Sequence, residues 1–237
     1  MTKESTARLT LVGTFHRDPE GRKKLSSLLE RLQPDALTLE VSPYAVAFRL
    51  RRGPLLLGRL ATILDRLAVE NGRDATELAS HPETSAIRAL LALPFEYLAA
   101  AEYTAVAGIP FSLIDSSLVS ARKLRRVERE LITPGNLGIL WTLPAAPPVK
   151  ESPAVARRMV LGDPGEAVRQ AFLAGRRGTE GVGPRDRHLG REIRRRLENL
   201  PGGHLVHVGG WVHLVEDEQG ETLFSLLRDL EPERVLL

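Results

Sequence analysis

The chain has 237 residues, 43% of them hydrophobic, which is enough core-forming material for one large domain or two small ones and excludes a disordered chain. Its 33 Lys and Arg nearly balance 30 Asp and Glu, and the formal charge of +3 points to no partner class. The absence of cysteine excludes disulfides, thiolate metal sites and cysteine nucleophiles, so any metal must be held by His, carboxylate or water.

Met1–Ser5 leads straight into an apolar run without the segment of a signal peptide, and the expected location is cytoplasmic. The first strand is Leu9–Val12. Asp18-Pro19 then reads as a helix start, with Leu25, Leu28, Leu29 and Leu32 at helical spacing up to Pro34. Ala36–Leu39 is a second short strand ending at Glu40. Strand, helix and strand in forty residues imply a right-handed crossover and a parallel pair, with His16 and Glu40 ending neighbouring strands.

Residues 43–108 read as a helical insertion covering the carboxyl edge of the strands. Glu96, Glu102, Pro94 and Pro110 break up its apolar stretch 89–114, so no membrane span is expected. Pro110–Ile114 is a third strand, ending at Asp115. Ser117–Leu131 is a basic helix, and a Pro-rich linker occupies about 143–149. Helices are expected from Ser152-Pro153 and from Asp163-Pro164, the latter with Glu166 in a capping box. Gly175–Gly183 reads as a mobile loop, and Pro184 opens a helix to about Asn199. The fourth strand is His204–Val208, followed by a helix over 221–230 and a short strand over 234–237. The expected fold is one α/β domain over 1–237, a mostly parallel central sheet flanked by helices.

A short pattern repeats at opposite ends of the chain. Gly13-Thr14-Phe15-His16 and Gly210-Trp211-Val212-His213 each follow an apolar strand. His16, Glu40, Asp115 and His213 therefore all leave the carboxyl ends of strands, where open α/β sheets bind ligands. Two histidines with a carboxylate form a competent ligand set for zinc, manganese, iron or cobalt, and metal-bound water becomes a nucleophile near neutral pH. Glycine before each motif histidine permits close backbone approach, and Gly13, Asp115 and Gly210 are expected as cofactor-binding positions. Glu96, among apolar neighbours, reads as an acid or base of raised pKa or as the partner of an arginine. Arg185 reads as an anion or oxyanion holder and Asp186 as a helix-start carboxylate. His81, His188, His204 and His207 receive no role. The arginine clusters at 49–52, 122–126 and 191–196 are interleaved with Glu128, Glu130, Glu192 and Glu198 and read as solvated helix faces, which argues against nucleic acid.

These motifs, with Pro34–Glu40, the Glu96 helix leading to Leu113-Ile114-Asp115, and Arg185-Asp186, resemble the TraB/PrgY family, whose relatives include TIKI proteases and GumN, erythromycin esterase-like and ChaN-like proteins. The likeness runs in order from Leu9 to His213. It implies an α/β core with one site and, as in TIKI-like members, metal-dependent peptide cleavage. Carried over residue by residue, it gives His16, Glu40 and His213 metal or catalytic roles, and gives Glu96, Arg185 and Asp186 supporting catalytic ones. The expected function is a metal-dependent, peptidase-like hydrolase using Mn, Co or Zn on a peptide or small-molecule ligand. The alternatives are a non-catalytic regulator that sequesters a peptide signal or a haem-like ligand, and a metal-independent esterase with His16 as general base. A homodimer is left open.

Overall fold

The computed structural model describes residues 7–140, 142, 152–178 and 181–237. The expected linker at 143–149, and residues 179–180 of the glycine-rich loop, lie outside them. In chain order the elements are β1 (Arg8–Thr14), α1 (Gly21–Leu32), β2 (Ala36–Leu39), α2 (Pro43–Glu70), α3 (Ala75–Ser80), α4 (Pro82–Leu91), α5 (Phe95–Ala107) and β3 (Phe111–Leu113). They continue with α6 (Ser117–Arg126), a π-helical turn (Val127–Leu131), α7 (Pro134–Leu140), α8 (Pro153–Val160), α9 (Glu166–Ala174) and α10 (Pro184–Leu197). The last are β4 (His204–Gly210), a 3-10 turn (Trp211–Leu214), α11 (Leu223–Leu226), a second 3-10 turn (Arg228–Leu230) and β5 (Glu233–Leu236). Among the described residues no helix is long and apolar enough to cross a membrane.

The chain divides into two compact units, one formed by 1–41, 95–116 and 151–237 and the other by 42–94 and 117–150. The first contains a five-stranded, all-parallel sheet of order β3-β2-β4-β1-β5. Alternation within the strands gives each face its own core. Val12, Leu37, Leu39, Val206 and Val208 meet Leu25, Leu28 and Leu29 of α1 and Ala99 and Ala100 of α5. On the opposite face Leu9, Leu11 and Leu205 meet Met159 of α8, Leu173 of α9, Leu189 and Ile193 of α10, and Leu223 and Leu227 at α11. Strands buried on both faces are expected to be nearly continuous apolar runs, and here Thr10, Thr14, Thr38, His204 and His207 are the buried polar interruptions. Helix α5, which the sequence reading placed in the insertion, packs on α1 within this unit.

His16 and Glu40 do share the carboxyl edge, but they do not end adjacent strands. β4 lies between β1 and β2, pairing with both. A crossover fixes handedness and direction and leaves room for a strand supplied from elsewhere in the chain, so the local pattern could not reveal this neighbour. Two expected helix starts are also corrected. α1 begins at Gly21, because Asp18-Pro19 forms a preceding turn in which the Asp18 carboxylate accepts the Glu20 N–H at 2.9 Å. α9 has Gly165 (φ 84°) at its N-cap rather than a capping box on Glu166. The expected helix over 221–230 is two short turns, the first capped by Thr222.

The second unit is helical. Ser42 caps α2, its Oγ accepting the Ala45 N–H at 3.0 Å, and Pro43 fits the first helical turn, where no donor is needed. Asp74 caps α3 and His81 caps α4 in the same way. α6 continues into the π-helical turn, so the basic helix expected over 117–131 is present with a widened last turn.

Candidate functional site

The first part of the site is a histidine–carboxylate pair open to solvent. β1 delivers Thr14 to the carboxyl edge, Phe15 turns into the core against Trp211, and His16 emerges with 57% of its side chain exposed. Its partner Glu96, only 3% exposed, lies in the first turn of α5. The sequence brings them together through Gly21, since a Cβ there would lie 2.4 Å from the Phe95 ring. Without one, α1 and α5 pack tightly and Glu96 reaches the end of β1. Glu96 Oε1 accepts the Thr14 hydroxyl at 2.9 Å and the His16 Nδ1–H at 2.8 Å. A carboxylate on Nδ1 favours the tautomer that carries its proton there and keeps the lone pair on Nε2. Glu96 Oε2 makes no hydrogen bond with the described residues.

The second part is a buried ion network on the other face of the sheet. Glu40 follows β2, and its Oε2 accepts the Gly210 N–H at 2.7 Å. Its Oε1 faces Arg185 Nη1 at 2.7 Å and His213 Nε2 at 3.2 Å as ion-pair contacts without hydrogen-bond alignment. Arg185, in the first turn of α10, also grips Asp115 with two hydrogen bonds of 3.1 and 2.8 Å. His213 sits in the 3-10 turn after β4, where its Nδ1–H donates to Asp186 in a short contact. Asp186 in turn accepts the Gly183 N–H at 3.2 Å through its second oxygen, so it holds both the start of α10 and the imidazole.

Burial alone would raise the Glu40 carboxyl, but Arg185, His213 and His16 overcome that and hold it well below the usual range. Burial opposes charge on His213 as well, yet Glu40 and then Asp186 push its pKa up to about 10. Asp186 shifts in the opposite sense to Glu40, because burial and the charge of Glu40 raise it against the pull of His213. His213 faces two carboxylates and Asp186 a single imidazolium, so the proton of that pair stays on His213. The cluster is then three carboxylates around two cations.

The Gly209-Gly210 pair is the floor on which the parts meet. A Cβ on Gly210 would stand 3.0 Å from His16 Nε2 and 3.6 Å from His213 Cδ2, so both imidazoles border one small space. A Cβ on Gly209 would stand 2.4 Å from Glu40 Oε2 and 3.1 Å from His207 Nε2. His207 is thus a member that the sequence reading left unassigned. It is fully buried, its Nδ1 pairs with the Thr38 hydroxyl at 3.0 Å, and its Nε2 has no hydrogen-bond partner among the described residues. Burial lowers its pKa to about 4, with His213 and Arg185 adding to that against Glu40, so it is neutral. The doublet of glycines at the end of a strand was the available signal for this floor, and Thr14 inside the first motif was the signal for the Glu96 contact.

All the expected catalytic residues, His16, Glu40, Glu96, Arg185, Asp186 and His213, fall at this one edge of the sheet, as does Asp115. Their roles differ from those expected in three respects. Arg185, expected to face an incoming anion, has its guanidinium on Glu40 and Asp115 instead. Gly13 serves packing, since a Cβ there would lie 2.9 Å from the Trp211 Cα. His16, Glu40 and His213 do not form a ligand set as placed, because both nitrogens of His213 face carboxylates and a guanidinium takes the Glu40 oxygen. Among the described residues no group of three or more histidine or acidic side chains is arranged to hold a metal ion.

His204 lies at the opposite end of β4 and bonds the Thr10 hydroxyl, Arg8 and the Leu32 carbonyl, a structural role. The chain matches no protein-family model, no curated protein and no solved structure.

Proposed function

We propose that this chain is a hydrolase in which the His16–Glu96 pair activates water for attack on an acyl or peptide carbonyl. The observation that carries this reading is the placement of two imidazoles around the space above Gly210, one exposed and held by Glu96 through Nδ1, the other buried between Glu40 and Asp186. His16 Nε2 takes a proton as the water oxygen bonds to the carbonyl carbon. Glu96 steadies the imidazolium that forms, and the same proton passes to the leaving group when the C–O or C–N bond breaks. His213, whose two nitrogens are held by Glu40 and Asp186, forms a fixed wall of the same space and so helps orient the carbonyl against His16. Glu40, Arg185 and Asp186 hold that wall in place. The motif order shared with TraB/PrgY and TIKI proteins supports hydrolysis. Among the described residues His16, Glu40 and His213 are not placed as a ligand set for the metal expected from that likeness.

The test is hydrolysis of p-nitrophenyl acetate and of a fluorogenic peptide library by wild type, His16→Ala and Glu96→Gln, each with and without chelator. Activity that survives chelator and falls about a hundredfold or more in both variants is the expected result. Activity that requires added divalent metal would overturn the metal-free step in favour of the metal-dependent one. Capture of a peptide without turnover would favour the sequestering role.

A further inference from the structure

The helical unit carries a second feature, unrelated to the chemistry at the sheet edge. Between α2 and the end of α6 lies a cleft of about 500 Å³ whose walls include Arg52, Arg59, Arg125 and Arg129. Against these four cations stands one carboxylate, Glu128, which pairs with Arg52. Arg59, Arg125 and Arg129 are exposed and make no hydrogen bond or ion pair with the described residues. Like charges are thus concentrated in a concave surface, where the low-dielectric walls strengthen their combined field. At the other end of the cleft Tyr44 and Phe48 stack with ring centroids 6.2 Å apart and planes at 28°.

The sequence builds this gradient from aromatic to cationic directly. Tyr44, Phe48, Arg52 and Arg59 lie on α2 at spacings of four, four and seven, so they share one face about 22 Å long. The opposite wall comes from the π-helical turn, which contributes both Glu128 and Arg129, and such widened turns recur at functional sites. The volume suits a small molecule and not a nucleic-acid duplex or a protein surface.

We propose that this cleft binds a nucleoside triphosphate, with its phosphates on the four arginines and its base beside Tyr44. Guanidinium groups match phosphate oxygens in geometry as well as charge, and aromatic rings accept a planar base face to face. A phosphate oxygen replaces Glu128 as the partner of Arg52.

Calorimetric titration of the full chain with ATP, inorganic triphosphate and orthophosphate tests this. ATP is expected to bind at least about tenfold more tightly than inorganic triphosphate, and more weakly as salt is added. Arg59→Glu and Arg125→Glu should each weaken ATP binding by about tenfold or more. Both side chains are exposed, so melting temperature and far-ultraviolet spectrum should stay at wild-type values. Glu128→Gln should tighten binding by removing a like charge, and His16→Ala should leave it unchanged. No binding of ATP at millimolar concentration would overturn the proposal. Equal binding of inorganic triphosphate would overturn the nucleotide assignment, and binding indifferent to both charge reversals would overturn its location.

Discussion

Gly210 decides where His16 can stand. The imidazole occupies space that any larger residue at 210 would claim, with Nε2 only 3.0 Å from the position of a Cβ. His16 is exposed and its side chain can swing away, whereas the backbone beneath is locked between β1 and Glu40. Gly210→Ala is therefore expected to lower hydrolytic activity by about tenfold or more, because a displacement of an ångström at a reacting group is costly. The same change should move the melting temperature little. Gly209→Ala should behave differently, since it presses on Glu40, a buried carboxylate with three partners, and stability should fall with activity. Thermal melts and turnover measured on the two variants separate these outcomes. If Gly210→Ala keeps full activity, His16 is not the base.

Among the elements, α10 illustrates how much one helix start can organise. Its first turn supplies Arg185, which joins the ends of β2 and β3, and Asp186, which orients the turn after β4. Arg185→Met would leave Glu40 and Asp115 as buried carboxylates without their cation, and is expected to cost about 3 kcal/mol or more of unfolding free energy in urea. A loss below about 1 kcal/mol would mean that water or His213 already compensates them.

The strands were legible because their apolar runs are short, β-branched and bounded by turn residues, as in Leu9–Val12 and Ala36–Leu39. Strand-end placement then made His16, Glu40, Asp115 and His213 legible as a group. Strand order was not, because the pairing of β4 with both β1 and β2 joins residues far apart in the chain, as in Arg8 with His204 and Ala36 with Leu205. The role of Arg185 was equally hidden, since sequence places an arginine at a helix start without showing that two carboxylates await it. His207 looked like one more strand residue. Only its register opposite Thr38, beside Gly209, reveals that its free nitrogen faces Glu40.

For the molecule as a whole, two buried histidines set opposing pH limits. His213 is raised from 6.5 to about 10, so its contribution to stability is full below 6.5 and is lost as pH rises through 10. His207 is lowered from 6.5 to about 4, so its contribution is full above 6.5 and is lost as pH falls through 4. Glu40, held low, adds to the acid-side loss, whereas Asp186, raised by burial, offsets part of it. The urea midpoint is expected to peak near pH 6.5, with His207→Gln flattening the acid limb and His213→Gln the alkaline one. An acid limb unchanged in His207→Gln would show that this residue is not buried in its neutral form.

The central position of β4 also governs when the protein comes into being. Its two flanking strands leave the ribosome early, yet the slot between them stays vacant until about 170 further residues have been synthesised. A nascent chain halted before His204 has neither the glycine floor nor the second imidazole, so truncated products should be inert. Activity during translation should switch on in one step instead of growing with length.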